Sequence, residues 1–276
     1  MVVVPQRLLD LDFVEVVHRS EDLTVIRKRV TEAMYERPSY VTQHALSIVD
    51  EGEQVVYDER GGVRLRIAAG EVGLMRRGLY SITDVLTDRS GGFATTVVFF
   101  SDALLQNVLG ANSTKPPDVS ASLTQLKNPP PFARLLASTD LQTAVMSWLR
   151  SIATDPSGLA ALRSLTHRHK RPLREFMHEH FDKPLQLADY AYLTGRSERS
   201  FRRDFRTRFG ESPKTWLVER RLARAKELLQ TGEQSVGGVA NAVGYQSTSH
   251  FIERYRERFG VTPGRGRTRK LEKKLG

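Results

Sequence analysis

The sequence predicts an α+β chain: a β-rich first part that closes as a small barrel or sandwich, then an all-α second part. Three observations carry this. Short β-type runs separated by close turn signals fill the chain to about residue 100. Beyond residue 131 the apolar residues fall into helical rhythm. The excess positive charge sits entirely in the last two-fifths of the chain. With 276 residues, one large or two modest domains with real cores are expected.

In the first part, VRLRI (63–67) alternates apolar and basic residues, the period of a half-buried strand. ATTVVFF (94–100) is β-branched and aromatic, as strands prefer. Turn signals recur at Glu51-Gly52, Gly61-Gly62, Gly70-Glu71, Gly78 and Gly91-Gly92, a spacing suited to a barrel or sandwich over residues 1–115. KPPDVSASLTQLKNPPP (115–131) is too proline-rich for a helix or a central strand, so 116–131 is expected to be a connecting loop. Residues 132–166 read as helices. Leu135, Leu136, Leu141, Val145, Trp148 and Leu149 form an apolar series broken near Ser138, and Asp155-Pro156 is an N-cap with proline in the first turn. That series can pack on the barrel or on a second copy of the chain, making this a packing or dimerisation segment.

Residues 167–276 hold 25 Lys and Arg against 13 Asp and Glu, a net +12, whereas the rest of the chain holds 17 against 19. Such a partition points to a polyanion partner, although basic aromatic-rich surfaces also bind membranes. There is no cysteine, which excludes thiolate catalysis, Cys-zinc sites and disulfides and fits a reducing cytoplasm. No apolar run of about 18 residues predicts a membrane span. The opening MVVVPQRLLDLDF meets Asp10 and Asp12 too soon for a secretory signal.

The 167–276 region contains one device twice. Phe201, Phe205 and Phe209 recur four apart, and so do Phe251, Tyr255 and Phe259; each trio forms one stripe of a helix and belongs to a core. Each is preceded by a short apolar segment with an alanine and, four residues on, a glycine: Ala191 and Gly195, Ala240 and Gly244. Each is followed by Gly and Pro. Helix, glycine turn and polar-faced helix is the helix-turn-helix plan, whose second helix enters the DNA major groove. PKTWLVERRLARAKELLQTG (213–232) between them reads as a rigid helix that sets the separation of the units. Units on one face of a duplex would enter grooves about 34 Å apart. One chain would then do what a dimer of simpler proteins does, and could read an asymmetric site.

Residues 184–263, from PLQLADYAYLTGRSERSFRRDF through the linker helix to SVGGVANAVGYQSTSHFIERYRERFGVTP, resemble the AraC/XylS family of transcriptional regulators. The resemblance implies a seven-helix DNA-binding domain, here 167–276, and an N-terminal cupin-like barrel for effector sensing or dimerisation. By position it places DNA contacts on Arg199, Arg202, Arg203 and Arg206 of the first recognition helix and on Thr248, Ser249, His250, Glu253 and Arg254 of the second. Glu253 departs from relatives that carry a basic or amide residue there. It can accept from cytosine N4 or sit as an exposed ion pair with a neighbour such as Arg256, and both roles are open to it. The N-terminal stretches AAGEVGLMRRGLYSIT and FFSDALLQNVLG resemble ExsA-type activators of type III secretion genes, some of which answer to protein partners. The partners so implied are double-stranded DNA, RNA polymerase, a small-molecule or protein effector and a second copy of the chain, in the bacterial cytoplasm at the nucleoid and not at a membrane.

The rival class is a cupin enzyme. Its metal needs clustered histidines on the barrel strands, and between residues 41 and 100 only His44 is present. His167/His169 and His178/His180 lie two apart, do not share a helix face and read as surface residues. No phosphate-binding or dinucleotide glycine motif appears. The chain is therefore read as a regulator with no catalytic residues and no cofactor. Arg76 and Arg77, in MRRGLY, are the candidate holders of an acidic effector, against the plainer reading of a solvated hairpin.

Overall fold

Residues Phe93–Phe100 are buried along their whole length because both faces of the strand they form are covered. The computed structural model describes residues 2–32, 34–58, 61–86, 91–110, 123–126, 129, 131–168 and 170–265. They fall into two compact units, Met1–His167 and Arg168–Gly276.

Among the described residues the first unit has β1 (Val2–Val4), β2 (Val14–Arg19), β3 (Leu23–Val30), β4 (Met34–Val41), β5 (His44–Glu51), β6 (Glu53–Tyr57), β7 (Val63–Ala68), β8 (Val72–Met75), β9 (Gly78–Val85), β10 (Phe93–Phe100) and β11 (Leu123–Leu126). One sheet runs β1-β4-β9-β6-β7 and the other β11-β8-β5-β10-β3-β2. β1 pairs with β4 in parallel, and the other ladders are antiparallel. Between the sheets lie Val4, Ile26, Val41, Ala45, Val56, Met75, Tyr80, Val97 and Phe99, the interior of a double sheet.

On the outer face of the six-stranded sheet lie α1 (Asp102–Leu109), α2 (Leu141–Ile152) and α3 (Pro156–Leu165), with a single 3-10 turn over Ala133–Ala137. Alternation therefore survives in β10 as two different cores. Val97 and Phe99 point to the interior, and Val98 and Phe100 to the helices. A strand covered twice reads as a continuous apolar run. β7 keeps the half-buried pattern, with Arg64 and Arg66 outward and Ile67 in the core.

Two expectations become more specific here. The series over 132–166 is used inside the chain: Leu141, Val145, Trp148 and Leu149 pack on Leu23, Val25, Val98 and Phe100, and Phe132 meets Trp148 edge to face at 5.1 Å. Packing within the chain, one of the two uses the sequence allowed, thus accounts for these four residues, while Leu135 and Leu136 are half-buried. The 116–131 loop is interrupted by β11, which pairs Leu123–Leu126 with Met75–Val72. Prolines flank this edge strand and do not interrupt it, as a ladder demands; most of the remaining loop lies outside the described residues. Helix starts follow the local chemistry. Asp155 accepts from the backbone N–H groups of Ser157 and Gly158 ahead of Pro156, and Ser101 caps α1 by accepting from Leu104.

The second unit contains, among the described residues, α4 (Leu173–His180), α5 (Leu187–Leu193), α6 (Glu198–Phe209), α7 (Pro213–Thr231), α8 (Val236–Ala242) and α9 (Thr248–Phe259). A further helical turn starts at Pro263, and the tail with Arg269 and Lys270 lies outside the described residues. Phe176, Tyr190, Phe201 and Phe205 are buried in the first half; Leu222, Ala225, Val239, Ala240, Phe251 and Tyr255 form the core of the second. Of the spaced histidines, His180 is buried against the Phe176 ring at 4.3 Å and is not a surface residue, because it falls on the inner face of α4. His178 packs on Trp216 at 5.3 Å, and His169 lies outside the described residues.

Candidate nucleic-acid interface

Both recognition helices are built by the same local rules. Ser197 and Ser247 are N-caps whose side chains accept from the N–H of Ser200 and His250. Twelve helical residues follow, and Gly210 and Gly260 end them with φ of 78° and 73°, a left-handed conformation that glycine adopts without strain. The turns entering them also match. Gly195 and Gly244 have φ of 70° and 85°. The Gly195 N–H donates to Tyr192 O and the Arg196 N–H to Ala191 O; the Gly244 N–H donates to Asn241 O and the Tyr245 N–H to Ala240 O.

The aromatic stripes turn inward. Phe201, Phe205, Phe251 and Tyr255 are buried, and Phe209 stacks on Phe205 at 4.1 Å and meets Trp216 of α7 at 5.1 Å. That fixes the outward face of α6, where Arg199, Arg202, Arg203 and Arg206 are all exposed. Arg202 pairs with Glu198 at 3.1 Å and Arg203 with Asp204 at 3.4 Å. Exposed pairs of this kind contribute about 0–1 kcal/mol, so they hold the two arginines only weakly. Arg199 and Arg206 take no ion pair among the described residues.

On α9, Thr248, Ser249, His250 and Glu253 are exposed and Arg254 is half-buried. Arg254 donates through Nε to His250 Nε2 at 3.3 Å and through Nη1 to Glu257 at 2.8 Å. Glu253 has no ion-pair partner among the described residues, so the pairing with Arg256 that its sequence position allowed is not made. The two faces thus differ in kind: one presents four arginines, the other hydroxyls, an imidazole and a free carboxylate.

Behind these faces are residues that sequence reasoning does not single out. Arg196, in the first turn, is buried; its Nε donates to Asp204 at 3.1 Å and its Nη1 to the carbonyls of Thr194 and Arg171 at 2.7 and 3.1 Å. Burial raises the Asp204 pKa, and the hydrogen bonds from Arg196 and Arg203 outweigh that and hold it below the ordinary value. Arg221, in the middle of α7, is likewise turned inward.

The first unit has a cavity of about 420 Å³ between its sheets. Its apolar wall includes Leu8, Leu11, Met75, Ile82 and Phe99, and its polar floor holds Lys28, Asp84 and Gln54, each less than a tenth exposed. Lys28 is ion-paired to Asp84, Gln54 Nε2 donates to Asp84 at 3.0 Å, and Gln54 Oε1 has no hydrogen-bond partner. Arg76 and Arg77 are not part of it. They join β8 to β9, and their guanidinium groups donate to protein acceptors: Arg76 to His167 O at 2.7 Å, Arg77 to Tyr40 Oη at 2.7 and 2.9 Å. His44, the single histidine of the strands between 41 and 100, is buried. Its Nδ1 accepts from the Arg77 backbone and its Nε2 lies 2.8 Å from Asp102. Burial pushes its pKa down against the pull of Asp102.

Comparison with known proteins agrees with the geometry. A helix-turn-helix domain family matches residues 190–269. The HTH-type transcriptional regulator ExsA of Pseudomonas aeruginosa is 28% identical over 274 residues, covering 89% of this chain and 95% of that protein. The virulence regulon transcriptional activator VirF of Yersinia enterocolitica is 31% identical over 194 residues, 66% of this chain and 70% of that one. Among solved structures, ToxT of Vibrio cholerae aligns over 89% of this chain and 97% of its own at 12% identity and a TM-score of 0.45. The DNA-binding domain of AdpA in complex with a target DNA aligns over 37% of this chain and 91% of its own at 28% identity and a TM-score of 0.35.

Proposed function

The chain belongs to the AraC/XylS family of transcriptional regulators, and from that premise we propose that it is a transcriptional activator reading two successive major grooves of one asymmetric site. The observation that carries this is the pair of matched helix-turn-helix frames with unlike outward faces. In this reading Arg199, Arg202, Arg203 and Arg206 supply the first groove, where a guanidinium can bond guanine O6 and N7 together. Thr248, Ser249, His250, Glu253 and Arg254 supply the second, where Glu253 accepts from a cytosine N4 amine. Like the VirF relative, a transcriptional activator, it would raise transcription from the promoter, which requires that its binding be transmitted to RNA polymerase. No residue is assigned to catalysis.

The 167–276 charge excess provides sequence-independent affinity through phosphate neutralisation and makes binding salt-dependent. Control lies with the first unit. The interior cavity supports a small-molecule effector seated on the Lys28/Asp84/Gln54 floor; this reading replaces Arg76 and Arg77 as its holders. The test is selection of duplexes from a randomised library by the full chain, followed by transcription in vitro from a promoter carrying the selected sequence. Enrichment of a bipartite, non-palindromic site and increased transcription are expected. A palindromic site, or no enrichment over random duplex, would refute the proposal.

A further inference from the structure

The two helix-turn-helix units are joined by more than the rod between them. α7 has 19 residues and is about 28 Å long. A rod fixes distance along its axis but leaves the second unit free to rotate about its own connection. Arg221 sits in the middle of that rod and reaches both units. Its Nε donates to Phe181 O, at the end of α4, at 2.7 Å. Its Nη2 donates to Lys183 O, between α4 and α5, at 2.6 Å, and lies 3.4 Å from the Tyr190 hydroxyl of α5. Its Nη1 donates to Gly244 O, in the turn of the second unit, at 3.3 Å.

The acceptors explain why a guanidinium is needed. Phe181 O is an end-of-helix carbonyl without an intrahelical donor, at the negative pole of α4, where a cation is favoured. Five donors in a planar fork can serve acceptors from three chain segments at once; an ammonium presents a compact charge with three rotatable donors. Tyr190 donates its own proton to His180 O at 2.8 Å, and burial pushes its pKa up to about 12, so that hydroxyl remains protonated and Arg221 meets its lone pair. A second contact lies beside the first. A Cβ added to Gly244 would stand 2.8 Å from both Asp182 O and Lys183 O, so the turn of the second unit is seated directly on the α4–α5 connection of the first.

We propose that Arg221 is a positioning residue that locks the two helix-turn-helix units into one rigid reading head, so that the chain accepts duplexes whose half-sites stand at one spacing. The spacing half of this rests on the reading that both units enter DNA; the rigidity half does not.

The chain has no cysteine, so two labels can be placed without background. Nitroxides at Thr207→Cys on α6 and Arg256→Cys on α9 of the full chain report the separation of the recognition helices by pulsed dipolar spectroscopy. One narrow distance is expected with Arg221 present, a broad distribution with Arg221→Met, and an intermediate one with Arg221→Lys, which keeps the charge and loses the fork. A broad distribution with Arg221 in place overturns the proposal. So does an unchanged width in Arg221→Met that retains the native circular dichroism spectrum; should Arg221→Met unfold, Arg221→Lys decides by the same readout.

The DNA arm uses the duplex that the wild-type chain enriches from a randomised library, with one base pair inserted between its halves. The insertion turns one half-site by about 35° against the other, and the wild type should lose ~10-fold or more in affinity, a folded Arg221→Met less than ~3-fold. Equal losses overturn the spacing claim. If no duplex is enriched, the DNA-reading proposal fails while the distance measurement still judges the lock.

Discussion

From Ala191 to Arg196, and again from Ala240 to Tyr245, the backbone makes the same two turn hydrogen bonds; one residue later the two units part. Ser197 follows Arg196 directly, whereas Gln246 intervenes between Tyr245 and Ser247, so the second turn is longer by one residue. The aromatic trios then lie fifty positions apart instead of forty-nine. In that register the outward positions can be compared one by one. Arg199 faces Ser249, Arg202 faces Ile252, and Arg203 and Asp204 face Glu253 and Arg254, a reversal of both charges; Arg206 and Arg208 are matched by Arg256 and Arg258. The difference separates the positions that serve the frame from those that the frame leaves free to vary. Buried aromatics, caps and terminal glycines are kept in both units, while charge changes sign at the exposed pair Arg203/Glu253 and at the half-buried pair Asp204/Arg254.

The sharpest way to break the comparison is inside the turns. The Arg196 side chain is buried with three polar contacts to protein, and Tyr245 occupies the matching site with a hydroxyl that has no hydrogen-bond partner among the described residues. Arg196→Met should destabilise the second unit by roughly 3 kcal/mol, since it strands two carbonyls and a carboxylate. Tyr245→Phe should change stability by less than about 0.5 kcal/mol. Urea unfolding of the full-length variants measures both, and similar losses would mean that the two turns are supported alike.

Next in size is base reading. Arg203→Ala should weaken binding to the selected duplex by about 1–3 kcal/mol beyond its effect on random duplex, with the fold intact. A salt titration on both duplexes separates the cases; equal weakening would move sequence discrimination to α9. The mirror experiment is Glu253→Arg, which gives the second helix the charge of the first. If Glu253 only repels phosphate, affinity should rise on every sequence and the salt slope steepen by up to about 0.9. If Glu253 reads a cytosine, the selected duplex should instead lose its advantage at one base pair.

The smallest effect concerns acid. The Asp204 carboxyl is held below its ordinary pKa by Arg196 and Arg203 despite burial. A depressed folded value contributes stability that is complete above the ordinary Asp range and is lost as pH falls through that range toward the folded value. Asp204→Asn should therefore flatten the acid limb of the stability curve below about pH 4, weakly because the site is near solvent. The second helix-turn-helix, with Arg254 at that position, should have no counterpart to this dependence.

Much of this was legible in the chain. The repeat, its caps and its stripes follow from spacing, because a helix imposes one period on every residue it contains. The barrel strands were legible where one face is solvated, as in β7, and as a bare apolar run where both are covered, as in β10. What was hidden depends on distant backbone. Arg221 stands among seven charged residues of α7 with nothing local to mark it, since its acceptors come from residues 181, 183 and 244. Lys28 looks like one more outward basic residue in IRKRV, yet strand register puts it on the face of Ile26, inside, opposite Asp84. Arg76 and Arg77 show the converse: a pair of adjacent arginines suggests an anion, and here each donates to an oxygen of the chain itself, His167 O and Tyr40 Oη. Of the two uses open to the 132–166 series, packing inside the chain is the one that Trp148 and its neighbours make against the sheet.

The identical boundaries of α6 and α9 have an evolutionary consequence. A serine fixes where each helix begins and a left-handed glycine fixes where it ends, twelve residues and about 18 Å later. Between those stops the outward side chains touch little that holds the protein together. Each helix therefore behaves as an interchangeable cartridge: its exposed letters can drift singly, and a promoter and its reader can change together in small steps, without the fold having to be found again.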